Sequence, residues 1–118
     1  MKECYKKAII VDTPGKAALC CLERTIDGLL QLVDLEALSP SVQTGVIYYE
    51  YRVSIVRGEL DGYFKPPGRA IDDLQETIEG LVQYMRTHNI PIPPYLMNRV
   101  RYYKMSIVIV RRDLKTLV

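Results

Sequence analysis

Residues 22–31 (LERTIDGLLQ) and 74–83 (LQETIEGLVQ) match without a gap, with six of ten positions identical. Two further matches flank this one in the same order. Pro14-Gly15-Lys16-Ala17 lies beside Pro67-Gly68-Arg69-Ala70, and Tyr48-Tyr49 through Leu60 lies beside Tyr102-Tyr103 through Leu114. The three offsets are 53, 52 and 54 residues, so the segments stay in register apart from very small insertions. A chain built from two copies of one unit must fold with each copy supplying half of a shared core, because two units are too few for a solenoid. The copies run approximately over residues 8–60 and 61–115, and a length of 118 residues fits one domain.

Each copy opens on a helical pattern. Ile71, Leu74, Ile78, Leu81, Val82 and Met85 recur at helical spacing, as do Leu19, Leu22, Ile26, Leu29, Leu30 and Val33. Asp72 and Asp73 stand in the first turn, where the helix dipole favours acids, and Asn89 with Pro91, Pro93 and Pro94 ends the second helix. Gly28 and Gly80 share a mid-helix site, which calls for a close neighbour at that point; a sheet is the expected one.

Each copy then carries a β-branched and aromatic run. Ile47, Tyr49, Tyr51, Val53 and Ile55 alternate with more polar positions, as do Tyr103, Met105, Ile107 and Ile109, and this predicts half-buried strands. Ala8–Val11 reads as a further strand and Gly62–Phe64 as a short one, with Glu59–Gly62 as the turn between; residues 34–44 stay unassigned. The expected order is β-α-β-β-α-β. It predicts an α+β, ferredoxin-like split βαβ fold: a four-stranded antiparallel sheet with two helices on one face.

Composition narrows the function classes. The net charge of +2 demands no polyanionic partner, no apolar run is long enough to span a membrane, and the N-terminus lacks a secretory core, so a cytoplasmic protein is expected. Cys4, Cys20 and Cys21 are odd in number, and two are adjacent on a predicted helix. Buried thiols explain them better than a disulfide, and one histidine adds little toward a metal site. Neither a metal nor a cofactor is expected. His88 suits a helix end better than a general base, and no nucleophile–base motif is present, so a non-enzymatic role is favoured. The Pro14-Gly15-Lys16 and Pro67-Gly68-Arg69 turns place Lys16 and Arg69 at helix starts, where anions bind, but the Walker spacing is missing and a structural turn is the simpler account.

Nine tyrosines accompany one phenylalanine and no tryptophan. With Arg52 and Lys104, the tyrosines at 48, 49, 51, 102 and 103 form the expected interface: an exposed sheet surface through which the chain self-associates as a dimer or higher homo-oligomer. A different protein partner is the other way to cover it. The alternative is a nucleic-acid-binding or antitoxin-like regulatory protein using a basic C-terminal strand. Arg99, Arg101, Lys104, Arg111, Arg112 and Lys115 face Asp113 alone there. The RNA-recognition pattern of stacking aromatics on central strands is not matched. Asp61–Tyr63, Thr77–Glu79 and Ile90–Pro93 resemble HicB-type antitoxins over about 33 of 118 residues, without that family's Pro-x-x-Pro-Gly stretch. Ile55–Glu59 resembles a strand end of bacterial microcompartment shell proteins. Neither resemblance assigns a family.

Overall fold

The computed structural model describes residues 13–66 and 68–116. Four helices follow one another: α1 (Pro14–Leu30), α2 (Pro40–Leu60), α3 (Ala70–Thr87) and α4 (Pro94–Thr116), with a 3-10 turn at Leu35–Ala37 between α1 and α2. No strand occurs among the described residues, so the α+β, ferredoxin-like split βαβ reading is overturned. The predicted strands at 46–56 and 102–110 lie inside α2 and α4, and Gly62–Phe64 is irregular. The predicted strand at Ala8–Val11 falls outside the described residues, as do Cys4 and Pro67.

The physical reason for the error is visible in what is buried. In α2 the buried side chains are Val46, Tyr49, Val53 and Val56; in α4 they are Leu96, Tyr103, Ile107, Val110 and Leu114. Those steps of three, four and seven are helical. The strand reading arose because other apolar residues, such as Ile47, Tyr51 and Met105, also occupy the outer faces and mimic alternation. β-propensity is a weak prior that packing overrides.

Local chemistry fixes the ends. Pro14, Pro40 and Pro94 each open a helix, where a missing N–H does no harm. The Thr13 hydroxyl accepts from Lys16 N at 3.2 Å. Helix α2 closes with paired bonds from Tyr63 N to the Gly58 carbonyl (2.8 Å) and Gly62 N to the Glu59 carbonyl (3.2 Å), with Gly62 at φ 85°. Helix α3 closes the same way, through Ile90 N to Met85 and Asn89 N to Arg86, with Asn89 at φ 53°. The expected turn at 59–62 is therefore a helix cap.

Helices α1 and α4 pack antiparallel, as do α2 and α3, so each copy's first helix pairs mainly with the other copy's second helix. A Cβ on Gly28 would lie 2.7 Å from Leu96, and one on Gly80 would lie 2.6 Å from Val42. Val42 and Leu96 are themselves repeat counterparts, 54 residues apart. The close neighbour anticipated at these glycines is thus a helix side chain, not a sheet. Buried residues of all four helices, together with Leu38, form one continuous core. No helix among the described residues is long and apolar enough to cross a membrane.

Candidate functional site

The repeat assigns paired roles to the residues singled out in the sequence. Tyr49 and Tyr103 are counterparts, and both are buried. Tyr49 donates its hydroxyl to Asp27, and Tyr103 bonds Glu79, the counterpart of Asp27. Burial, and then the Asp27 carboxylate, raise the Tyr49 phenol far above its ordinary value; burial and Glu79 raise Tyr103 as well. These two tyrosines tie the helices of each copy together and are not available as surface.

Their neighbours are. Tyr48 and Tyr51 are 51% and 66% exposed on α2, and their counterparts Tyr102 and Met105 are 55% and 61% exposed on α4. Ile47 and Val108 extend the two faces, at 63% and 51% exposure. The Arg52 guanidinium lies 5.9 Å from the Tyr48 ring centroid and 3.4 Å from Asp73 across the α2–α3 contact. Glu50 and Lys104, both exposed, hold the same position in the two copies and carry opposite charge.

The basic residues predicted as one strand do not act as one. Arg111 is held by Asp72 (2.5 Å) and Gln75 (2.7 Å) of α3, just as its counterpart Arg57 reaches Glu23 of α1 at 3.8 Å. Lys16 pairs with Asp61, and Arg69 is exposed just before α3. Arg99 is half-buried, its Nε without a hydrogen-bond partner, beside a cleft of about 140 Å³ between α1 and α4. A cleft of equal size lies at the counterpart place between α2 and α3, where Asp73 and Arg52 stand at the positions of Cys21 and Ser106. Arg112 is exposed, and Arg101 and Lys104 border a larger groove of about 630 Å³ between α3 and α4. That groove was not foreseen. Its Arg86, Val82 and Ile92 were read only as parts of a helix and its stop; the detectable signal was that the basic Arg86 stands opposite Asp34 in the other copy.

Comparison with protein-family models, with curated proteins and with solved structures finds no match.

Two functional expectations are therefore corrected on structural grounds. Self-association through an exposed sheet surface fails because the described residues contain no sheet. The basic C-terminal strand of the nucleic-acid or antitoxin-like alternative is helix α4, with Arg111 engaged in an ion pair. Chemistry is sparse elsewhere. Among the described residues, no group of three or more His, Cys, Asp or Glu is placed to hold a metal ion. Cys20 is buried and Cys21 half-buried, both as thiols. His88 sits at the end of α3, with Nδ1 2.9 Å from the Tyr84 carbonyl and its ring stacked on Tyr84.

Proposed function

We propose that the chain is a non-catalytic association module that pairs with further copies of itself through the outer helical faces of α2 and α4. The observation that carries this reading is the matched pair of exposed faces, Ile47, Tyr48 and Tyr51 on one helix and Tyr102, Met105 and Val108 on the other. Large apolar and aromatic side chains grouped on a helix face gain free energy when a partner removes them from water, and tyrosine is enriched where proteins meet. Charge selects between the possible pairings. Laying α2 of one copy along α4 of another opposes Glu50 to Lys104, whereas α2 against α2 sets Glu50 against Glu50. A cytoplasmic setting is consistent with the thiols of Cys20 and Cys21.

Size-exclusion chromatography with light scattering tests the reading. At tens of micromolar the mass is expected at a multiple of the 13.6 kDa chain, falling to one chain for the Tyr51→Ser/Met105→Ser variant. Both side chains are more than half exposed, so the fold should persist in that variant, as circular dichroism checks. A wild-type monomer at that concentration sinks the proposal.

A further inference from the structure

The two copies diverge at one place. Leu30 and Val82 are counterparts, but α1 ends at Leu30 whereas α3 runs on to Thr87. In the first copy the chain then turns back as the 3-10 segment Leu35–Ala37. The Gln43 side-chain amide holds it by donating to the carbonyls of Glu36 (3.3 Å) and Leu38 (2.9 Å), and Leu38 is only 3% exposed. In the second copy the counterparts of Leu38 and Gln43 are Ile92 and Met97, which line the open groove of about 630 Å³ together with Val82 and Val100. Where the first copy has a folded-back stretch of leucines and acids, the second has a vacant apolar trough.

The rim of that trough has the opposite charge to the segment that fills its counterpart. Arg86, Arg101 and Lys104 border it, against the carboxylate of Glu79, which is engaged with Tyr103. The corresponding residues of the first copy are Asp34, Ile47 and Glu50. The segment docked there, residues 32–38, combines Leu32, Leu35 and Leu38 with Asp34 and Glu36.

We propose that the α3–α4 groove binds an acidic amphipathic segment of a partner protein, a short stretch mixing leucine-like and carboxylate side chains. Its apolar residues lie over Ile92, Met97 and Val100, and its carboxylates meet Arg86, Arg101 and Lys104. The groove volume suits such a stretch, being within the range of sites that enclose a ligand of several hundred cubic ångströms. Apolar contact supplies the affinity and the cations select for acidic partners.

The test uses the whole protein and a labelled peptide copying residues 30–39 of this chain, followed by fluorescence anisotropy. Saturable binding is expected. It should weaken by at least about tenfold when the peptide's two acids become amides, and by a similar factor in Arg101→Glu/Lys104→Glu protein, because each lost charge contact is worth roughly a factor of ten. Lys104 also belongs to the face proposed for self-association, so Arg86→Glu separates the two ideas. That variant, on α3, must weaken the peptide while leaving the oligomeric mass unchanged. Amide shifts in the bound protein are expected at Val82, Met97 and Lys104. The proposal is overturned by absence of binding at millimolar peptide, by binding indifferent to charge reversal, or by shifts elsewhere on the protein. It is equally overturned if decanoate, a small amphipathic anion, shifts the groove amides while the peptide does not.

Discussion

Adjacent tyrosines in this chain do opposite jobs, because one residue along a helix turns a side chain by about 100°. Tyr48 faces solvent while Tyr49 is 9% exposed, with its hydroxyl on Asp27. That burial gives the protein an alkaline dependence whose sign can be worked out. The ordinary phenol value is 10.0, and in the folded state Tyr49 holds its proton well above it, as Tyr103 also does. The unfolded chain therefore releases these protons first. Stability is intact below about pH 10 and is lost as pH climbs toward the folded-state values. In urea unfolding compared at about pH 9 and about pH 11, Tyr49→Phe should lose part of the wild-type decline. Near neutrality the same substitution should cost about 1 kcal/mol, the net worth of a hydrogen bond to a partly solvated carboxylate. An unchanged alkaline slope in Tyr49→Phe would show that the phenol is not the group responsible.

At the level of elements, the recurring Pro-Gly pair has a structural use. Gly15 N donates to the Asp113 carboxylate at 2.6 Å, and Gly68 N donates to Glu59. A Cβ on either glycine would lie 2.5 Å from a carboxylate oxygen, so each glycine admits an acid from the end of the other copy's second helix. The acid satisfies a backbone donor just before or within a helix's first turn and sits at the dipole's positive end. Glu59 is 1% exposed while Asp113 is half-buried, so Glu59→Ala should destabilise by about 1–2 kcal/mol in chemical denaturation and Asp113→Ala by less. Glu59→Gln, which keeps an acceptor, should fall between wild type and Glu59→Ala. Equal losses at 59 and 113 would contradict the reading. This motif also marks where the sequence was legible. The helices around 22–31 and 74–83 could be read because their buried stripes, Leu19–Leu29 and Ile71–Met85, alternate with solvated positions. Helices α2 and α4 could not, since apolar residues such as Ile47, Tyr51, Met105 and Val108 lie on their outer faces and erase the contrast on which periodicity depends. Pro40 after Ser39 and Pro94 after Pro93 were available as helix starts, but the prolines were read only as stops. The exposed tyrosines were legible as surface on either backbone. The α3–α4 groove was not, because it arises from where two loops diverge.

The whole molecule is held together across its copies more than within them. Helix α1 makes its main contact with α4 and helix α3 with α2, while the within-copy pairs α1–α2 and α3–α4 contribute less. Gly28 against Leu96 and Gly80 against Val42 are both cross-copy, as are the two carboxylate caps. A single copy cut free therefore keeps its tyrosine–carboxylate link but exposes the stripe of its first helix to water. Residues such as Leu19, Leu22, Ile26 and Leu29, all fully buried in the intact chain, would each forgo roughly 1.5–3 kcal/mol of burial, more than an isolated helix pair can absorb. Fragments 1–64 and 65–118 are accordingly expected to show little helical circular dichroism as separate monomers. Mixed in equal amounts, they should regain the signal of the intact chain through the α1–α4 and α2–α3 contacts. Because the copies are similar, one fragment alone at high concentration can recover part of the signal by pairing with itself, and light scattering would show that recovery to be dimeric. A fragment that is both monomeric and fully helical would mean that each copy owns a sufficient core, and the cross-copy account of the fold would have to be abandoned.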